Sequence, residues 1–281
     1  MSHAATMHFS WQENFGLRQN PFRDSLDSGL FFRTRQHEEA LIKLRIGFDD
    51  GHALILLNGV SGSGKTFVSQ LSLRDLDRER HETALIFAYP GMGKGVLLEA
   101  LLNELGEESP ARLTQRRLAM VQEKALALHK KGKRLLVMID EAHFLKADAL
   151  HLLRTLANLE TEREKLITVL LIAEPALRRR LSAPGYAALR GRITFMIELN
   201  PMSPEETEQY IKYRLLKCGG HTDLLPAHLY ATIHELSGGI PREINRLLYN
   251  ALMEALTANQ EVVTPDLLHY VAEKQAVTWA R

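Results

Sequence analysis

"ALILLNGVSGSGKTFVSQL", residues 53–71, is the stretch whose reading decides the fold. It opens on an unbroken apolar run, passes through a glycine-rich turn and ends in a segment with helical spacing. Gly59, Val60, Ser61, Gly62, Ser63, Gly64, Lys65 and Thr66 fit G-x-x-x-x-G-K-[ST] in full. Glycines let the main chain curl so that successive N–H groups point inward at phosphate oxygens. The following helix adds its positive N-terminal end. In this layout Lys65 reaches the β- and γ-phosphates and the Thr66 hydroxyl binds Mg²⁺, so the stretch reads as an ATP site. "PGMGKG" at 90–95 has glycines and Lys94 but no hydroxyl after the lysine, and reads as a turn opening the next helix.

Working outward, short apolar runs at 53–58, 83–89, 134–140, 166–173 and 193–199 read as strands. Between them lie segments of three- and four-residue apolar spacing, such as "GVLLEALLNEL" and "ADALHLLRTLANLE". Continuous apolar strands separated by helices predict a five-stranded parallel sheet covered on both faces. From about Ser203 only helical spacing remains. Ser203, Pro204 and Glu206 form a capping box, and Gly219 and Gly220 mark the end of that helix. Thr264 and Pro265 open another. The predicted organisation is an N-terminal entry segment (1–34), an α/β domain (35–200) and a helical domain (201–281).

Asp140 ends the strand in "LLVMIDEAHFL" (135–145), where its carboxylate would meet Mg²⁺ beside the phosphate loop. Glu141 follows at once, in place to orient and deprotonate an attacking water. His143 reads as a local packing or polar contact, since Glu141 already holds the base position.

The formal net charge of +1 and the pI near 7.9 give no global basic signal for nucleic acid, so DNA binding would need a local patch. "RRLAMVQEKALALHKKGKR" and Arg178, Arg179 and Arg180 concentrate positive charge, which reads first as solvated helix surface. The single cysteine, Cys218, has no partner for an intramolecular disulfide. With no signal-peptide pattern at "MSHAATMHFSWQ", this favours the cytoplasm. The longest apolar runs are too short to span a bilayer.

Together the loop, the "MIDEAH" strand, the helical tail and "SGGIPREINRLL" (237–248) make the chain resemble an AAA+ ATPase, a P-loop NTPase with a helical lid. More narrowly it is similar to the ExeA-like group, the ATPases of the general secretion pathway protein A and MSHA pilus biogenesis kinds, with relatives beside transposases. "FGLRQNPF" (15–22), "HEEALIKL" (37–44), "LLRTLANLETEREKLITVLLIAEPALRRRL" (152–181) and "ALRGRI" (188–193) extend the likeness along most of the chain. The Asp-Glu-Ala-His signature is shared with nucleic-acid helicases, but the second recombinase-like domain of a helicase is not read here.

The resemblance implies further roles. Arg242 matches the sensor 2 arginine directed at the nucleotide. Arg192 matches an arginine finger acting on a neighbouring subunit, with Arg190 as its competitor. It implies a homo-oligomer, ring or filament, driven by ATP and Mg²⁺. The leading expectation is an accessory switch in secretion or pilus assembly, held at the inner face of the membrane through a partner protein. The alternative is an ATP-dependent regulator that binds duplex DNA and recruits a transposase; a non-hydrolysing scaffold is a third reading. Two positions depart from the group's pattern. Glu174 replaces the sensor 1 amide, and Tyr89-Pro90 replaces Asn-Pro, which points to slow or partner-dependent turnover.

Overall fold

The computed structural model describes residues 10–25, 27–108 and 113–279. The chain separates into two compact units. One is Arg35–Asn200, and the other joins the segment before Arg35 to everything from Pro201 onward.

The first unit is a five-stranded sheet in the order β2-β3-β4-β1-β5. Its strands are β1 (Leu54–Gly59), β2 (His81–Phe87), β3 (Arg134–Asp140), β4 (Ile167–Ala173) and β5 (Ile193–Leu199), and every pair is parallel. The three central strands β3, β4 and β1 are buried almost throughout, which is why they read as continuous apolar runs. The edge strand β2 alternates, with Ala84 and Ile86 buried and Phe87 exposed.

Residues alternate between the two faces of the sheet. Leu54, Leu56, Leu135, Val137, Ile139, Val169 and Leu171 form one core with α3 (Lys94–Glu104), α4 (Thr114–Lys130) and α5 (Ala147–Leu156). On the other face lie α1 (Arg35–Asp49) and α2 (Lys65–Arg74). The short helices α6 (Pro175–Leu181) and α7 (Ala187–Arg190) connect β4 to β5.

Strand boundaries move by one or two residues from the reading of the apolar runs. β2 starts at His81 because its ladder with β3 begins there, opposite Arg134, even though His81 and Glu82 break the apolar run. It stops at Phe87. Ala88 N–H still reaches the Asp140 carbonyl (2.9 Å), and Tyr89 then enters a turn closed by Met92 N–H on the Tyr89 carbonyl (3.1 Å). "PGMGKG" is that turn, running into α3 with Gly93 as its N-cap.

The second unit contains α8 (Pro204–Lys217), α9 (Leu229–Ser237), α10 (Pro241–Thr257) and α11 (Pro265–Trp279). The capping box at α8 is complete: Glu206 N–H donates to Ser203 Oγ at 3.1 Å and Ser203 N–H to Glu206 Oε2 at 3.0 Å. Gly219, at φ 83, closes the helix. Its N–H donates to the Leu216 carbonyl and that of Gly220 to the Leu215 carbonyl, a Schellman motif.

Phe15, Leu17, Phe22 and Leu30 are buried in one core with these helices. The entry segment therefore folds as part of the helical unit rather than as an element of its own. Arg214 fixes it there. Its buried guanidinium donates to the Pro21 carbonyl, to the Arg23 carbonyl at 3.0 Å and to Tyr210 Oη at 3.0 Å.

Candidate active site

β1 lies between β4 and β5, and the chain leaving β1 runs toward β2 whereas the chain leaving the adjacent β4 runs the other way, to β5. In open α/β sheets, ligands collect outside the carboxyl ends of strands at such a point. The glycine-rich loop emerges there. Gly59 is in register with Leu199, the last residue of β5, and Asn58 with Ala173, the last of β4. Gly62 (φ 79) and Gly64 (φ 92) take left-handed conformations that a side chain rarely adopts. They turn the chain straight into α2, whose Val68 N–H already donates to the Gly64 carbonyl at 3.0 Å.

Lys65 is buried, and its Nζ donates to the carbonyls of Gly59 (2.9 Å) and Val60 (2.8 Å), so the ammonium group lies within the loop. Thr66 Oγ1 donates to Asp140 Oδ2 at 2.9 Å, although 74 residues separate the two in sequence. Ser63 Oγ is buried in the same loop and has no hydrogen-bond partner among the described residues.

These features fit a magnesium–nucleotide group. The curled backbone, a helix N-terminus and one buried cation suit a polyphosphate. A hydroxyl facing a carboxylate suits a hard divalent cation with oxygen ligands. Gly59 through Thr66 would hold the phosphates, and Thr66 and Asp140 the Mg²⁺.

Glu141 departs from ordinary backbone geometry. At φ 54 and ψ 33 it is left-handed, one of two non-glycine residues with positive φ among those described. Such a conformation costs on the order of 1–3 kcal/mol and persists only where the surroundings enforce it. Here it turns the Glu141 N–H onto Asp140 Oδ1 (2.8 Å) and points its side chain toward His143, with Oε2 3.4 Å from Nδ1. Glu174 stands between the end of β4 and the start of α6, and one ligand atom from each of Glu141, His143 and Glu174 lies within 4.8 Å of the others. The two acidic positions and the histidine thus meet in one cluster. Nothing in their spacing announces this; it follows from β3 and β4 being neighbours in the sheet.

The arginines are placed differently. Arg192 immediately precedes β5, whose first residue pairs with Leu54 and whose last pairs with Gly59. Seven residues of strand separate the two ends by about 20 Å. The structure therefore does not bring Arg192 to the phosphate loop of its own chain. Its Nε is buried without a hydrogen-bond partner among the described residues. Arg190, the competitor, donates to the carbonyls of Leu181 (2.7 Å) and Ser182 (3.2 Å) and so closes the end of α6. Arg242 lies in the first turn of α10 in the other unit, with Nε 3.2 Å from Asp24 Oδ2. Arg178 is ion-paired with Glu198. Arg180 donates to the Leu145 carbonyl at 2.6 Å and lies over the Tyr186 ring.

With this geometry in hand, comparison with known proteins places the chain. Residues 49–181 match the model of an AAA domain. The chain carries an AAA domain. It is also 36% identical over 256 residues to General secretion pathway protein A of Aeromonas hydrophila, an alignment that takes in 90% of this chain and 46% of that protein. The chain thus spans about half the length of that relative, and its likeness to the ExeA-like group holds along nearly all of its own length.

Among solved structures, Cdc6p from Pyrobaculum aerophilum superposes with a TM-score of 0.69 at 18% identity, over 90% of this chain and 70% of that one. The ORC2 protein of Aeropyrum pernix, solved as ADPNP and ADP complexes, gives 0.63 at 18% identity over 91% and 71%. At such identities the likeness is one of fold, the parallel five-stranded sheet of an AAA+ P-loop NTPase.

Proposed function

We propose that this chain binds ATP with Mg²⁺ and hydrolyses it between subunits of a homo-oligomer, as an accessory switch in secretion or pilus assembly. The observation that carries the reading is the 2.9 Å contact of Thr66 Oγ1 with Asp140 Oδ2 beside the buried Lys65, with Glu141 one residue further on. Lys65 and the loop N–H groups bind and orient the phosphates. Bound Mg²⁺ would neutralise charge on the phosphate oxygens. Glu141 accepts the proton of the attacking water at its carboxylate, general-base work for which that group must stay ionised and within reach. In this reading Arg192, at the far end of the sheet from the loop, serves a neighbouring subunit, and Arg242 takes the sensor 2 role that the resemblance implies.

The secretion role rests on the likeness to General secretion pathway protein A. No helix among the described residues is long and apolar enough to cross a membrane. The proposed place of action is the inner face of the membrane, through a partner protein. The alternative, a regulator that binds duplex DNA and recruits a transposase, rests on the resemblance, and its phosphate contact would be the arginine cluster of α6. Two of its three members, Arg178 and Arg180, are engaged within the chain.

The test is ATP hydrolysis by the purified protein with and without duplex DNA at low and moderate salt, with Glu141→Gln as the blank. Turnover indifferent to DNA supports the secretion reading. Stimulation that fades with salt would replace it with the transposition reading. Equal rates for the wild type and Glu141→Gln would overturn hydrolysis at this site.

A further inference from the structure

His143 occupies a position that the hydrolytic reading leaves without a task. Its side chain is 11% exposed, and its ring packs on Phe144 with centroids 4.1 Å apart. The short helical turn that carries it, Ala142–Phe144, is anchored by the fully buried Ala142. The imidazole is therefore fixed, whereas the Glu141 carboxylate beside it is 45% exposed and has three side-chain torsions to settle.

One ring nitrogen faces two partners. Nδ1 lies 3.4 Å from Glu141 Oε2 and 3.5 Å from the Glu174 backbone nitrogen. An imidazole nitrogen donates when it carries a proton and accepts when it does not, so it cannot serve both partners at once. Both distances are at the long limit of hydrogen bonding, and a shift of a few tenths of an ångström completes one bond at the expense of the other.

The two partners sit on different strands. Glu141 follows β3, and Glu174 follows β4, whose last residue Ala173 lies in register with Asn58 at the root of the phosphate loop. Glu174 also brings its own carboxylate into the cluster. A donor between two carboxylates relieves their repulsion, and the acidic residue at the sensor 1 position becomes tolerable because His143 stands beside it.

We infer that His143 is a positioning residue for Glu141: through Nδ1 it holds the base carboxylate, in exchange with the Glu174 backbone N–H at the end of β4. This rests on the reading of Glu141 as general base. When Nδ1 donates to Glu141, the carboxylate is confined to one orientation. When the ring takes its other tautomer, with the proton passed through solvent from Nδ1 to Nε2, Nδ1 accepts from Glu174 N–H and the carboxylate is released. Any rearrangement of the β4–α6 junction, which adjoins the phosphate loop, thereby reaches the base.

The experiment compares steady-state ATP turnover and nucleotide affinity for the wild type, His143→Ala, His143→Gln, His143→Asn and Glu141→Gln, with thermal melting to confirm folding. An asparagine amide can occupy the place of Nδ1, whereas a glutamine amide reaches beyond it. Misplacing a reacting group by about 1 Å can lower a rate by up to about 10²-fold. The expected result is a kcat about ten- to a hundredfold lower in His143→Ala and His143→Gln, with ATP affinity within about twofold and His143→Asn within about threefold of wild type. An unchanged or raised kcat in His143→Ala, with Glu141→Gln inactive, would overturn the inference and leave Glu141 as base. A loss of kcat and affinity together that His143→Asn does not rescue would also overturn it, reducing His143 to packing. Wild-type turnover equal to that of Glu141→Gln, or undetectable, would instead overturn the hydrolytic reading, and this inference with it.

Discussion

A methyl group at Gly59 would lie 2.6 Å from the Leu199 carbonyl oxygen and 2.6 Å from Ser63 Oγ. The first of these atoms belongs to the backbone of β5 and has little freedom to move. Gly59→Ala is therefore expected to lower the stability of the α/β unit by about 1–3 kcal/mol, the usual range for overpacking, and to open the loop. Chemical denaturation reads the first effect and nucleotide titration the second; unchanged stability would show that the loop and β5 can separate without penalty. Lys65 makes a different case. It is buried, but its ammonium group is held by two carbonyls of a loop that can rehydrate when they are freed. Lys65→Ala should melt close to the wild type and fail to bind ATP in a calorimetric titration. Glu141→Gln should keep ATP affinity and lose turnover, since only the ionised carboxylate accepts a proton.

At the scale of elements, Arg214 supplies buried polar contacts that attach the entry segment to the helical unit, beside the apolar burial of Phe15, Leu17, Phe22 and Leu30. Removing the Arg214 guanidinium leaves the buried Tyr210 hydroxyl with one partner fewer and strips the Pro21 and Arg23 carbonyls of their donor. Unsatisfied buried groups cost about 1–3 kcal/mol each, so Arg214→Ala is expected to destabilise the unit by about 3 kcal/mol, measurable by urea unfolding. Cys218, at the end of α8 against this segment, reports the same packing. It is fully buried, and burial pushes its thiol above the ordinary cysteine range. A thiol reagent should react with the native protein far more slowly than with the unfolded chain, and Arg214→Ala should speed that reaction.

Local chemistry explains which of these elements could be read from the chain alone. Ser203, Pro204, Glu206, Gly219 and Gly220 act within a few residues of one another, and the helix they bound is legible for that reason. The phosphate loop is legible because the chain itself supplies the curl, the helix and the cation. The contact between Arg214 and Pro21 spans 193 residues, and the meeting of His143 with Glu174 depends on the order of strands in the sheet. No local periodicity encodes either. Arg178, Arg179 and Arg180 look alike in sequence; the fold gives Glu198 to the first and the Leu145 carbonyl to the last.

At the scale of the molecule, the parallel sheet sends the two ends of β5 to opposite sides of the α/β unit. The phosphate loop lies at one end and Arg192 at the other, about 20 Å away along the strand. On the proposed reading such an arginine acts on a second copy of the chain, in a head-to-tail contact where one subunit gives the loop and the next gives the guanidinium. Arg192→Ala should bind ATP as the wild type does and turn it over about 10³-fold more slowly, the scale of a missing arginine finger. Each of Arg192→Ala and Lys65→Ala would be inactive alone. Mixed in equal amounts, they form competent sites only where an Arg192→Ala subunit offers its loop to a Lys65→Ala subunit, which random head-to-tail assembly supplies at about a quarter of the interfaces. Turnover near that fraction of the wild-type rate is the expected result. Because Arg192→Ala would remove a guanidinium acting within its own chain as surely as one acting on a neighbour, its low rate alone does not distinguish the two; absence of rescue at every mixing ratio would return Arg192 to its own subunit, as a structural residue at the foot of β5.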